Sequence, residues 1–456
     1  MSLNPVIFRE YDIRGIVYKD FDLDFAFNLG KALATKVINR FNKTPHLAVG
    51  YDARISSPEL SEAVSNGIAS VGGHVYSIGL VTTPMNYFTT FFYEKINGAI
   101  MITGSHNPPE YNGFKMSIGS NTIHGDEIQD LKKIISESNY AADSSGEIQT
   151  FNIFEDYLNR YKTEFTNLKK IPLVLDCGNG TAGCVVKKMY ENAGLDPVIL
   201  FEEPDGNFPN HHPDPTVEKN LKDLKKAVLD NKAAVGIGFD GDSDRIGLVD
   251  EKGNMVYGDE LIALFGKHIL SKNPGAKIIG DVKCSDRIYT YLEKAGGKPI
   301  MWKTGHSLIK NKIKDEKSPF GGELSGHIFF ADRNYGYDDA LYAGLRIVEI
   351  ISETGKSVSE LLSDLPKGFN TPEIRIDTSE EKKYSIVTAI KKEFNSNTDD
   401  YTINEIDGIR VSFKNGWALA RASNTQPVLV LRFEADSMEN LDKIRNQFES
   451  IVNPLL

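Results

Sequence analysis

The sequence predicts an α/β protein, with three similar mixed-sheet α/β domains followed by a C-terminal α+β domain. Three observations carry that expectation. Short apolar runs ending in Asp or Gly recur along the first part of the chain, separated by segments of helical spacing. Such alternation argues for parallel strands covered on both faces by helices. The C-terminal stretch instead places several strands between two helices. Finally, 456 residues are too many for one hydrophobic core, and length alone suggests about three or four domains.

Composition narrows the function classes. A net charge of -11 argues against a general nucleic-acid or anionic-membrane surface, while leaving room for a local cationic pocket that takes a phosphorylated small molecule. Cys177, Cys184 and Cys284 are odd in number and lack zinc-site spacing, which points to a reducing cytoplasm. No run approaches the ~18 apolar residues of a membrane span, and no signal segment opens the chain. A soluble cytoplasmic protein is expected, with neither nucleic acid nor membrane as partner.

The first domain is placed at 1–150. Phe8-Arg9-Glu10-Tyr11-Asp12-Ile13-Arg14-Gly15 sets two arginines and a tyrosine near a glycine turn. Helical spacing follows at Phe25, Leu29, Leu33 and Val37, then a strand at 47–50 ends in Tyr51-Asp52-Ala53-Arg54. A second helix is expected near Leu60, Val64 and Ile68. The apolar run Gly98-Ala99-Ile100-Met101-Ile102 then enters Thr103-Gly104-Ser105-His106-Asn107-Pro108. Gly104 permits a sharp bend and Pro108 stops a helix from crossing the loop. Ser105 is thereby held out at a strand's C-terminal end, where open α/β sheets bind ligands. It is a nucleophile, a phosphate carrier or a turn residue on this reading. Lys115 lies close enough in sequence to return over the serine loop, and 143–146 reads as a linker.

The second domain, 151–254, starts with a helix from about Phe154 to Phe165 and the strand Leu173-Val174-Leu175-Asp176. Asn210-His211-His212-Pro213-Asp214-Pro215 reads as a rigid loop rather than a metal site. The run 235–239 ends in Asp240-Gly241-Asp242-Ser243-Asp244-Arg245. Three carboxylates at alternate positions can turn their oxygens toward one hard cation. A calcium EF-hand, suggested by Glu251 at the twelfth position, fails because Arg245 stands where Gly is needed and the flanks read as strands. Magnesium is favoured, since three carboxylates leave room for a phosphoryl oxygen and water.

The third domain, 255–366, carries Gly280-Asp281-Val282-Lys283, Lys303-Thr304-Gly305-His306 and Gly321-Gly322-Glu323-Leu324-Ser325-Gly326-His327. The last of these exposes Glu, Ser and His between glycines, which suits sugar hydroxyls. In the fourth domain, 367–456, strands are expected near 373–376, 409–413, 417–420 and 428–433. A final helix presents Leu441, Ile444, Phe448 and Ile451 as one buried stripe. Between two strands lies Arg421-Ala422-Ser423-Asn424-Thr425-Gln426-Pro427, whose guanidinium, hydroxyls, amide and backbone N–H groups suit a phosphate.

In this order, Thr-Gly-Ser-His-Asn-Pro, Asp-Gly-Asp-Ser-Asp-Arg, Gly-Glu-Leu-Ser-Gly-His and Arg-Ala-Ser-Asn-Thr resemble the α-D-phosphohexomutase superfamily. Within it, the likeness is to the bacterial phosphomannomutase/phosphoglucomutase group and spans essentially the whole chain. The resemblance implies four domains around a central cleft, each giving one motif. It implies reversible phosphoryl transfer between the 1- and 6-positions of mannose and/or glucose phosphates, through a phosphoserine at Ser105 and a hexose 1,6-bisphosphate that also acts as activator. Ser105, Asp240, Asp242 and Asp244 would hold Mg²⁺. Glu323 and Ser325 would hold sugar hydroxyls, and Arg421, Ser423, Asn424 and Thr425 the substrate's phosphate. Tyr11, Lys283 and His306 would line the cleft, with Arg14, Lys115, Arg245 and His327 beside the chemistry and Lys115 and His327 able to move the proton. Gln426 stands where relatives often carry Glu. A phosphoglucosamine mutase is the nearer rival, but Leu324 between Glu323 and Ser325 favours phosphomannose and phosphoglucose. A non-catalytic sugar-phosphate binder is the other rival, and it would need neither Ser105 nor the three aspartates. The partner expected is a small hexose phosphate, bound by a monomer or weak homodimer.

Overall fold

In the computed structural model the described residues are 3–395, 400–424 and 427–456. They divide into two compact units, 1–261 with 325–363 and 262–324 with 364–456.

The first unit holds two sheets. Strands β1 (Ile13–Ile16), β2 (His46–Tyr51), β3 (His74–Leu80), β4 (Gly98–Ile102), β5 (Tyr111–Ile118), β6 (Asn121–Thr122) and β7 (Glu147–Thr150) pair in the order β1-β5-β4-β2-β3-β7, with β6 on β5. β4, β2, β3 and β7 run parallel, whereas β5 returns antiparallel to β4 and β1 pairs antiparallel to β5. The sheet is therefore mixed, not the all-parallel layer that strand–helix alternation alone suggests. The cause is the serine loop, which turns β4 straight back into β5 without a crossover helix. The expected linker at 143–146 is likewise strapped down: Ser144 N–H donates to Ser70 O at 3.0 Å and Gly146 N–H to Ala69 O at 2.8 Å.

Phe25, Leu29, Leu33 and Val37 are buried on the helix Leu23–Phe41, as their spacing predicts. That helix packs against Ser57–Ala69 so closely that only glycine fits at the crossing. A Cβ on Gly30 would stand 2.2 Å from Val64 O, and one on Gly67 would stand 1.9 Å from Phe27 O.

The second sheet comprises β8 (Leu173–Asp176), β9 (Val198–Leu200), β10 (Val235–Phe239), β11 (Ile246–Asp250) and β12 (Met255–Val256), ordered β12-β11-β10-β8-β9. β9, β8 and β10 are parallel, and β10 and β11 form an antiparallel hairpin around 240–245. Also in this unit is the helix Ala340–Thr354, buried along almost its whole length. Its Arg346 is held by both oxygens of Asp332 at 2.9 Å.

In the second unit, β13 (Lys277–Asp281), β14 (Lys298–Trp302) and β15 (Phe320–Gly322) are parallel, with β13 in the middle. The C-terminal strands form an antiparallel sheet in which Val428–Ala435 is fully buried between neighbours. The final helix, Met438–Val452, buries Leu441, Ile444, Phe448 and Val452. Ile451 is only half-buried, so the stripe turns one residue further than expected at its end, following the 3.6-residue period.

Each α/β region thus repeats one parallel triplet, β3-β2-β4, β9-β8-β10 and β14-β13-β15. Among the described residues no helix is long and apolar enough to cross a membrane.

The helix crossing yields a stability test. Gly67→Ala must push its partner's backbone away, and overpacking of this kind costs about 1–3 kcal/mol. The urea unfolding midpoint should fall accordingly; an unchanged midpoint would show that the two helices separate without cost.

Candidate active site

Ser105 follows β4 with a left-handed backbone, φ +50°. Its N–H donates to Thr103 Oγ1 at 2.8 Å. The loop is clamped from beneath by Arg54, which is 1% exposed. Arg54 donates to the carbonyls of Ser105 (2.8 Å), Asn107 (2.6 Å), Pro108 (2.5 Å) and Tyr111 (2.9 Å), and its Nε to Asp52 Oδ2 (3.1 Å). The structure corrects one expectation here: Ser105 is not held out but is itself only 1% exposed. The reason is the aspartate loop, which lies directly over it. A Cβ on Gly241 would stand 2.5 Å from Ser105 O, so only glycine permits the approach.

That approach brings the serine to the carboxylates. Ser105 Oγ donates to Asp240 Oδ2 at 2.9 Å. The 240–245 loop is fixed by three segments through its backbone. Thr83 N–H donates to Asp242 O at 2.9 Å, Thr181 N–H to Gly241 O at 3.0 Å, and Ala340 N–H to Ser243 O at 3.3 Å. Asp240, Asp242 and Asp244 are fully buried, and each offers an oxygen within 4.8 Å of the others. Lys115 on β5 donates to Asp242 Oδ2 at 2.6 Å and to Asp244 Oδ2, while Thr83 Oγ1 donates to Asp242 Oδ2 at 2.6 Å.

The charges respond to this crowding. Burial, with Asp242 and Asp244 alongside, holds Asp240 well above the usual carboxylate range. Burial also raises Asp242, but the Lys115 ammonium and the Thr83 hydroxyl more than offset it and draw the group down. Lys115 is pushed down by burial and up, further, by Asp242 and Asp244, so it is held above its ordinary value. Asp242 Oδ1 and Asp244 Oδ1 are buried with no hydrogen-bond partner. Hard oxygen donors converging with lone pairs unsatisfied fit a small divalent cation.

Arg245 and His327 complete this region. Arg245 N–H donates to Asp240 Oδ1 at 3.1 Å, and its Nε donates to His327 Nε2 at 3.0 Å. His327 Nδ1 lies 2.9 Å from Asp338 Oδ2 and 3.7 Å from Asp244 Oδ1. Arg14, on β1, spans Asn107 Oδ1 (2.7 Å) and Asp12 Oδ2 (2.5 Å), and Tyr11 is buried beside it in sequence. Ser325 is half-buried in the turn before His327.

In the second unit, Lys283 Nζ donates to Glu373 Oε1 at 2.8 Å, and Glu323 Oε1 accepts from Gly305 N–H at 2.6 Å, one residue before the buried His306. Arg421 Nε donates to Asp407 Oδ2 at 3.0 Å. Ser423 N–H donates to Val428 O at 3.0 Å, Lys383 Nζ to Ser423 O at 2.7 Å, and Asn424 follows half-buried. Thr425 and Gln426 lie outside the described residues.

Two early alternatives separate cleanly from the site. Glu251 takes no part in the aspartate loop; its carboxylate accepts from Ser359 N–H at 3.2 Å and from the Ser359 hydroxyl. His211 Nε2 sits 3.1 Å and 3.2 Å from the two oxygens of Asp176, a contact apart from the aspartate loop. Sequence reading missed Asp52 and Arg54 as the clamp, Thr83 behind Asp242, Asp338 behind His327, and Asp407 behind Arg421. Asp52 and Arg54 do stand at a strand end, which is the one local signal; Thr83 reaches a partner 159 residues away and leaves none.

Comparison with known proteins agrees with this geometry. Family models match over the chain: phosphoglucomutase/phosphomannomutase alpha/beta/alpha domain I at 5–141, domain II at 154–253, domain III at 257–369 and the C-terminal domain at 373–451. A Pseudomonas aeruginosa phosphomannomutase/phosphoglucomutase is 42% identical over 449 residues, covering 98% of this chain and 96% of its own. A Neisseria gonorrhoeae phosphoglucomutase is also 42% identical, covering 100% of this chain and 99% of its own. A solved phosphoglucomutase/phosphomannomutase family protein from Burkholderia thailandensis superposes with a TM-score of 0.92 at 38% identity, covering 100% of this chain and 98% of that one. On the sequence and the geometry together, the chain belongs to the phosphoglucomutase/phosphomannomutase family.

Proposed function

We propose that the chain interconverts the 1- and 6-phosphates of mannose and/or glucose, with Ser105 as phosphoryl carrier and a hexose 1,6-bisphosphate as intermediate and activator. The observation that carries this reading is the Ser105 Oγ contact with Asp240 at 2.9 Å, inside a buried cluster that also holds Asp242, Asp244 and Lys115. A serine needed only for a turn would gain nothing from three buried carboxylates.

The step balances simply. The bond from phosphorus to Ser105 Oγ breaks while one forms to the sugar's free hydroxyl oxygen, whose proton leaves to a base. After the bisphosphate turns round, its other phosphoryl returns to Ser105 and the isomerised monophosphate departs. Transfer of this kind is chiefly positioning and charge neutralisation. Mg²⁺ held by Asp240, Asp242, Asp244 and the serine oxygen would supply positive charge at the transferring group. Arg14 and Arg245 add fixed cations nearby. Lys115, which donates to Asp242 and Asp244, and His327, which lies between Asp338 and Arg245, are the two groups assigned to moving the hydroxyl's proton. Glu323, Ser325, Lys283, His306 and Tyr11 are assigned to the sugar, and Arg421, Ser423, Asn424 and Thr425 to the phosphate that does not react. The working arrangement is four domains, 1–150, 151–254, 255–366 and 367–456, in a cytoplasmic monomer or weak homodimer.

Incubation with glucose 1,6-bisphosphate should add one phosphoryl to the intact protein mass, and Ser105→Ala should abolish the increment. Labelling that survives in the mutant would move the carrier elsewhere.

Chelation should stop turnover and Mg²⁺ should restore it, with Asp242→Ala failing to recover at any Mg²⁺ concentration. Full activity of that mutant under chelator would sink the metal assignment.

A coupled assay offering mannose, glucose and glucosamine 1-phosphates should show turnover of the first two. Arg421→Ala should raise KM for both by about 10- to 100-fold, the loss of a charge-assisted contact of ~1.5–3 kcal/mol. Preferred turnover of glucosamine 1-phosphate would replace the substrate class; unaltered kinetics in Arg421→Ala would leave that residue a structural partner of Asp407.

A further inference from the structure

Three loops of the second unit meet at one buried carboxylate. Asp281 is the last residue of β13 and has no exposed surface. Its Oδ2 accepts from Thr304 Oγ1 at 3.0 Å and lies 3.8 Å from Lys283 Nζ. Its Oδ1 accepts from Cys284 Sγ at 2.9 Å and from Leu324 N–H at 3.3 Å. The loops at 283–285, 303–306 and 323–324 are thus tied to a single side chain, and Glu323 joins two of them again through Gly305 N–H.

We propose that Asp281 is the positioning residue of the sugar-recognition site, setting Lys283, His306 and Glu323 in one register for a hexose phosphate. The inference rests on the reading that those three residues touch substrate, and it names what holds them. A carboxylate suits the task because it accepts only, at about four lone-pair sites, and can serve several donors at once. Burial at the end of an apolar strand makes each of those bonds costly to lose.

An independent observation supports the assignment. β2 and β13 occupy the same place in their sheets, each the middle strand of a parallel triplet. Asp52, immediately after β2, accepts from Gly104 N–H at 3.2 Å, from Arg54 N–H at 3.0 Å and from Ser57 Oγ at 2.6 Å. Gly104 follows β4 as Leu324 follows β15, and β4 and β15 are the corresponding neighbours. The same device therefore holds the serine loop in one region and the glutamate loop in the other.

The test measures binding of glucose 1-phosphate and mannose 1-phosphate by titration calorimetry to the full chain carrying Ser105→Ala, which prevents turnover. Asp281→Asn, Glu323→Gln and their double variant are compared, with Lys283→Ala as a second probe of substrate contact and Thr304→Val as a milder cut of the same hub should Asp281→Asn fold poorly. Misplacing binding groups by an ångström costs up to about 100-fold, so Asp281→Asn should weaken both ligands by about 10- to 100-fold. Because Asp281 acts through the glutamate loop, the double variant should lose clearly less than the product of the two single losses. A lower melting temperature with unchanged affinity, or fully multiplicative losses, would overturn the proposal. Unaltered affinity in both Glu323→Gln and Lys283→Ala would instead overturn the substrate reading beneath it.

Discussion

Three carboxylates buried within 4.8 Å of one another, facing one lysine, set the terms for everything around them. Two like charges 4 Å apart repel by about 4 kcal/mol at an effective dielectric constant of 20. With all four groups ionised, three negative charges and one positive leave a net charge of -2, or -1 with Arg245, whose Nε lies 4.0 Å from Asp240 Oδ2, a balance that suits a divalent cation. Folding alone answers only part of it. Lys115 bonds Asp242 and Asp244 and offsets one of their two charges, while burial beside them holds Asp240, which accepts the Ser105 hydroxyl, above the usual carboxylate range. The serine is therefore held at the one carboxylate that Lys115 does not reach by hydrogen bond.

Holding charges this close requires a rigid frame, and the repeated parallel triplet supplies it. In each region the motif loop follows the corresponding strand: Ser105 after β4, Asp240 after β10, Glu323 after β15. The neighbouring middle strand ends at a buried acid, Asp52, Asp176 or Asp281. Asp52 and Asp281 reach across to the adjacent loop, whereas Asp176 takes Gly178 N–H and His211 instead. In that region the loop is held from outside the sheet, by Thr83, Thr181 and Ala340. The difference follows from the hairpin, since β10 runs through 240–245 into β11 and leaves a tight turn whose carbonyls point outward to those donors.

The elements that depend on local pattern were legible in the sequence. The helix at 23–41, the strand entering the serine loop and the three alternating aspartates follow from spacing and from glycine and proline placement. Motif order made the family expectation possible, and Ser105, Asp240 and Glu323 each stand just beyond the end of a strand. What stayed hidden depends on contacts distant in the chain. Thr83 gives no sign that it will hold Asp242, nor Asp338 that it will orient His327, because a single threonine or aspartate at a helix start is ordinary capping chemistry. Ser105 misled for the same reason. Gly104 and Pro108 correctly implied a loop, but the cover over that loop comes from Gly241, far along the chain, and no local rule anticipates it.

Arg54 shows how much of the site is built from residues that hold other residues. A guanidinium has five N–H donors in a fixed plane, and here all are used, four on the carbonyls of Ser105, Asn107, Pro108 and Tyr111 and one on Asp52. A lysine offers three donors on a flexible stem, and would leave carbonyls buried without partners. The left-handed backbone of Ser105 is a conformation a serine rarely holds unaided, at a cost of order 1–2 kcal/mol. The Arg54 clamp from below and the glycine contact from above over-determine it, so the strain persists in the folded chain. The hydroxyl then has one place to point, and that place is the carboxylate cluster.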